Sequence, residues 1–174
     1  MKEPTIRTMF DAETYFRELA RRSILARAGG FVFGTCSGIS GLEDAIDHFT
    51  TDNAFFLFDE TTNGVLVRGQ GGGWFKRRTF TVFLLKRVLR TRMEDRREKL
   101  NECRALFASI VSRIIADEHR FGRPQVWFDT SAILSKEFGG TMLNDCTGLF
   151  FTINMDEPTE LTIKTDEWTD LKNP

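Results

Sequence analysis

The chain has 174 residues, of which 41% are apolar and 28% charged, with 24 basic and 25 acidic side chains for a net charge of −1. That length supports one ordinary domain over residues 1–174 with a real core, its ends at 1–10 and 168–174 expected to fray. The composition excludes a disordered or collagen-like chain, an acidic solvating tail and a globally basic nucleic-acid binder.

Taken in order, residues 11–27 carry Phe16, Leu19, Ala20, Ser23 and Ile24 at helical spacing behind a possible N-cap, Asp11, and Gly29-Gly30 closes the element. Phe31-Val-Phe33 reads as a short strand. Ser40-Gly-Leu-Glu43 has the form of a capping box opening a short helix over 41–49, with Asp44 and Asp47 outward. Ala54-Phe-Phe-Leu-Phe58 reads as a strand. Asn63-Gly64 predicts a tight hairpin turn, because both residues tolerate positive φ, and Val65–Arg68 is its return strand. After Gly69–Gly73, a glycine-rich connection, a long strand is expected over 74–88. In it Phe80, Val82 and Leu84 share one face, with Thr79, Thr81 and Phe83 on the other.

The strongest helix signal runs over 94–118. Met93, Leu100, Cys103, Phe107, Ile110 and Ile114 form a core-facing stripe, widened by Leu106, Val111 and Ile115. Such a helix is about 37 Å long, and Gly122-Arg-Pro124 stops it. Val126–Phe128 and Leu149–Met155 read as strands, and Leu161–Thr165 is a further candidate. Residues 130–146 fit no single pattern, and Gly139-Gly140 breaks them. Strand pairs joined by turns, with few parallel crossovers, predict an α+β fold: a mostly antiparallel sheet with two long helices on one face and an additional short helix.

No apolar run approaches the roughly 18–20 residues that cross a bilayer, and Met1-Lys2-Glu3-Pro4 precedes no apolar stretch of signal-peptide type. No membrane contact is expected. Three cysteines make no disulfide framework, so reduced, cytosolic thiols are the expectation.

Charge is distributed unevenly. Residues 68–99 hold 11 basic and 3 acidic side chains, whereas residues 1–67 carry a net −4 and residues 140–174 a net −5. Such blocks either neutralise one another within the fold or are presented to partners. Opposite patches on one surface favour head-to-tail contacts between copies. Within the basic block, Trp74, Lys76, Arg77, Arg78, Lys86, Arg87, Arg90 and Arg92 combine cations with an aromatic side chain. That mixture suits a subunit or partner interface, a solvated surface or a single-stranded nucleic-acid site.

Catalytic chemistry has no comparable signal. Gly69–Gly73 is followed by a strand rather than the helix a phosphate loop requires. The two histidines, His48 and His119, lie in no paired-ligand spacing, and Cys36, Cys103 and Cys146 are scattered. Asp156-Glu157 and Glu43-Asp44 are adjacent pairs that do not converge by themselves. No catalytic residue, metal site or cofactor is expected.

Four pieces of the chain resemble the tail terminator (tail completion) proteins of long-tailed phages: the N-terminal amphipathic helix, the segment Phe55–Arg68 leading into the long strand Thr79–Leu85, the long helix with Leu100, Phe107, Ile110 and Ile114, and Phe128-Asp129 followed by the closing strand 144–155. The short helix at 41–49 and the segment after Pro158 depart from that pattern. The resemblance implies a non-enzymatic structural protein forming a homo-oligomeric ring, usually of six, at the tail-tube end. Its partners would be tail-tube and head-connector proteins. It would be found in the host cytoplasm during assembly and in the virion, or prophage-derived tail, thereafter. The alternative is a nucleic-acid-binding accessory protein using segment 74–97.

Overall fold

The computed structural model describes residues 10–89, 92–118, 126–138 and 145–170. The fold is α+β. Its elements in chain order are α1 (Ala12–Arg22), α2 (Ile24–Ala28), β1 (Phe31–Cys36), α3 (Ser40–His48), β2 (Ala54–Asp59), β3 (Asn63–Arg68), β4 (Trp74–Arg87), α4 (Met93–Asp117), β5 (Trp127–Glu137) and β6 (Cys146–Thr159). The predicted helix stop at Gly122-Arg-Pro124, the Gly139-Gly140 break and Arg90 lie outside the described residues, as do 1–9 and 171–174.

The sheet has the order β1-β2-β4-β6-β5, with β3 also paired to β4. All pairings are antiparallel except β1 with β2, which α3 joins as a crossover. β4 is the spine. Its residues Val82–Lys86 pair with β2, its residues Trp74–Thr79 pair with β3, and all 14 of its positions pair with β6 on the other side.

Both sheet faces are covered around β2, which accounts for its unbroken apolar run: all six positions are buried. On one face, α1, α2 and α4 pack Phe16, Leu106, Ile110 and Ile114 against Phe58, Phe80, Val82 and Phe151. On the other, α3 lays Leu42 and Ile46 over Phe55, Leu57, Phe83 and Leu85. The two faces of β4 separate as its alternation predicts, with Phe80, Val82 and Leu84 under the long helix and Phe83 and Leu85 under α3.

Several expectations are corrected. Among the described residues only α4, at 25 residues, is long, and α1 has 11. The predicted 11–27 helix breaks at Ser23, whose backbone is extended (φ −69°, ψ 122°) and whose Oγ accepts from the Ala26 amide at 3.1 Å, capping α2 anew. Asp11 does cap α1, accepting from the Thr14 amide at 2.9 Å. The Ser40–Glu43 capping box does not form: Ser40 is already helical, and Ile39 precedes the helix without a side-chain cap. α3 sits on the face opposite the other helices, so the sheet is covered from both sides. The α4 stripe begins at Leu100; Met93 and Ile115 are exposed. Leu161–Thr165 forms no strand, and its end enters a short 3-10 turn at Thr165–Glu167.

Asn63-Gly64 is not a hairpin turn. Both residues lie in β3, opposite Thr79 and Arg78. β2 and β3 run in the same direction along one side of β4, so no tight reversal separates them. Asp59 organises the connection, its Oδ1 accepting from the Gly38 and Thr61 amides, both at 2.9 Å. The hairpin turn lies instead at Gly69–Gly73, where the Gly69 amide reaches the Gly73 carbonyl at 2.8 Å and Gly72 adopts φ +85°. The irregular 130–146 stretch begins inside β5, whose register to β6 jumps between Asp129 and Leu134, four β5 residues standing against Ile153 alone.

Candidate interaction surface

The cationic block is largely absorbed into the fold. Arg77 makes a bidentate pair with Asp156, its cross-strand neighbour, with both N···O distances 2.7 Å, and Asp129 lies 3.7 Å away. The hydrogen bonds Arg77 donates to Asp156 raise its pKa above the usual value. Arg78 is buried: its Nη2 donates to Glu157 Oε2 at 3.2 Å and to the Phe10 carbonyl at 3.0 Å, while Glu157 Oε1 accepts the Phe10 amide at 3.0 Å. This clasp fixes the entry to α1. Lys86 pairs with Glu102 and lies over the Phe31 ring. Arg87 donates to the carbonyls of Asp52 and Ile46 at 3.0 and 3.1 Å and stacks on Phe55. The basic middle and the acidic C-terminal block thus neutralise each other through the β4–β6 ladder at Arg77 and Arg78.

What remains outward is the end of the sheet beyond helix cover. Here β3 and the Trp74–Arg77 half of β4 form an arm. Every position of β3 is exposed, including Val65 at 62%, Leu66 at 49% and Val67 at 45%. Register puts Val65 and Val67 on the α3 face with Phe75 and Arg77, and Leu66 on the opposite face with Lys76. Trp74 is exposed at the tip, Lys76 half-buried. On the α3 face the surface continues to β5, where the Phe75 and Trp127 rings stand 5.8 Å apart. Arg92 is exposed at the start of α4, far along the chain from the arm, and Arg90 is outside the described residues.

Val65, Leu66, Val67, Trp127 and Leu134 are the surface residues that sequence reasoning passed over, since apolar strand residues read as core. The available signal was that Val65-Leu66-Val67 carries apolar side chains on both faces, more than a one-sided sheet margin can bury. A second apolar exposure, Ile24 and Leu25, rims a groove of about 320 Å³ between α1, α2 and α4. Its polar wall is engaged by Arg113, whose Nε donates to Asp117 at 2.8 Å.

The cysteines offer no nucleophile. All three are buried, and burial pushes the thiols of Cys36 and Cys103 up to about 12 and that of Cys146 to about 11. Iodoacetamide at neutral pH is therefore expected to leave the native protein unmodified and to label all three thiols in denaturant, as read by intact mass. Labelling of the native chain would contradict this burial. Among the described residues, no three His, Cys, Asp or Glu side chains stand close enough to hold a metal ion, and no helix is long and apolar enough to cross a membrane. No family model matches the chain, and comparison with curated proteins likewise finds no match.

Proposed function

We propose that the chain is a non-enzymatic structural protein that assembles into a ring at the end of a phage or prophage tail tube, contacting tube and head-connector proteins. The observation that carries this reading is the β3–β4 arm. Its outer strand, β3, is exposed at every position and pairs only with β4 among the described residues. Apolar side chains on both faces of an unpaired edge invite another chain. The arm is a continuation of the central strand β4, so force and position are transmitted directly to the core.

Light scattering at low and high salt, with negative-stain images of any large species, tests the reading. The expected result is a closed ring of about six copies. Leu66→Asp is expected to abolish that species while changing unfolding free energy by no more than about 0.5 kcal/mol, because Leu66 lies outside the core. A wild-type protein that stays monomeric at every concentration, or a Leu66→Asp variant that assembles normally, would overturn it.

A second reading draws on the same arm. The side chains of Arg68 and Lys76 form no hydrogen bond or ion pair with another described residue, and they flank Trp74. Single-stranded nucleic acid suits that combination. It predicts an affinity for an oligonucleotide that falls steeply with salt.

A further inference from the structure

We infer that the outer edge of β3 pairs with the outer edge of β5 in a second copy of the chain, joining the sheets of neighbouring copies side by side. This rests on the self-assembly part of the reading above and supplies its contact.

The sheet has two lateral margins beside the β4–β6 pair. β3 flanks β4 on one side, and β5 flanks β6 on the other. Among the described residues, neither strand has a second neighbour, so each presents a row of unpaired backbone donors and acceptors. Directions are compatible. β3 and β6 are both antiparallel to β4, and β5 is antiparallel to β6, so β5 runs opposite to β3. Leu134 stands level with Thr81 and Val67 level with Phe75, an offset of about 20 Å along the strands. A neighbour related by rotation about an axis tilted from the strands, as in a sheared barrel, spans that offset, keeps the antiparallel relation and keeps like faces together. Its β5 therefore meets β3 as an antiparallel partner. A contact between opposite margins is heterologous, and repeating it gives a ring where the rotation closes and a filament where it does not.

Side chains agree with the directions. Beyond its bulge, β5 is exposed from Leu134 to Glu137, with Leu134 62% exposed. Leu134 shares the face of Thr152 and Thr81, which is the α3 face of the sheet and therefore the face of Val65 and Val67. Aligning Gly64–Val67 with this segment sets Val67 opposite Leu134 and Leu66 opposite Ser135, with faces matched throughout. A slip of one residue would set every side chain against the wrong face.

The rival margin is β1. It is an edge strand too, but α1 and α3 flank it, leaving a depression of about 330 Å³ lined by Arg17, Phe33, Ala45, His48 and Phe49. β1 and β3 lie on the same side of β4, so pairing them relates two copies by a two-fold axis and stops at a dimer. It builds no ring.

Cysteine pairs in the full chain decide between these contacts under mild oxidation. Val67→Cys with Leu134→Cys, or the two-residue shift Val65→Cys with Leu134→Cys, is expected to give a ladder of disulfide-linked multimers. Its yield should be at least about tenfold above that of Leu66→Cys with Leu134→Cys, whose thiols sit on opposite faces. If rings form but neither same-face pair exceeds that control, the strand contact is wrong and the ring reading survives. Val67→Cys with Val32→Cys linking efficiently, and only to dimers, would overturn the contact in favour of the β1 margin. Absence of large species from the unmodified protein would instead count against the ring.

Discussion

Replacing Gly148 with alanine is expected to lower unfolding free energy by at least about 3 kcal/mol, the combined scale of backbone strain and core overpacking. Gly148 lies in β6 opposite Leu85 with φ +151°, a conformation that side-chain-bearing residues rarely adopt. A Cβ there would overlap the carbonyl oxygen of Leu84 and approach the Leu85 Cα to 2.9 Å. Both obstacles are backbone of the spine strand, which cannot retreat: Leu84 is held between Phe56 of β2 and Leu149 of β6. The Gly148 carbonyl also accepts the Phe138 amide at 3.0 Å, so turning the peptide away would cost a hydrogen bond beyond the end of β5. For a chain of this size the loss corresponds to a fall in melting temperature of roughly 6–12 °C. Calorimetry reads it directly, and a variant melting with the wild type would show that β6 accommodates a side chain at this position.

The second large effect is expected at the Arg78–Glu157 clasp. Their side chains are only 9% and 11% exposed, and between them they hold both the amide and the carbonyl of Phe10. Glu157→Ala strands a buried guanidinium and releases the Phe10 amide, for an expected loss of about 3–5 kcal/mol. The double variant Arg78→Met/Glu157→Leu removes both charges and keeps apolar volume, so it should recover much of that loss. Urea denaturation of the two variants side by side measures the difference. A single variant costing under about 1 kcal/mol would mean that water reaches the pair.

The parts legible in the sequence were those whose signal is long or locally closed. α4 carries its apolar stripe over several turns, and β4 alternates between two cores, so both were recognisable within a residue or two. Local punctuation was less dependable. Asn63-Gly64 has the chemistry of a tight turn, yet β4 offers these residues ladder partners, and the reversal moved to the glycines at 69–73. Ser23 fits the helical spacing but also caps, and the cap prevailed. The cationic block illustrates a different difficulty. Whether Arg77 is available to a partner depends on Asp156, 79 residues away, and only strand register brings the two together. The same holds for Val65–Val67: their apolarity is plain, but the direction in which it is spent depends on where helix cover ends.

The position of β6 has a bearing on how the chain reaches this state. Among the described residues it is the last strand in chain order, yet it lies inside the sheet, and β5 has no other partner there. While the chain is being synthesised, one side of β4 stays open, its apolar residues uncovered, until the stretch through Thr159 has left the ribosome. Such sequence-distant pairing slows folding and lengthens exposure to aggregation. A nascent or 3′-truncated product lacking β6 would hold neither a closed core nor two finished margins, so the proposed contact between copies would require completed chains.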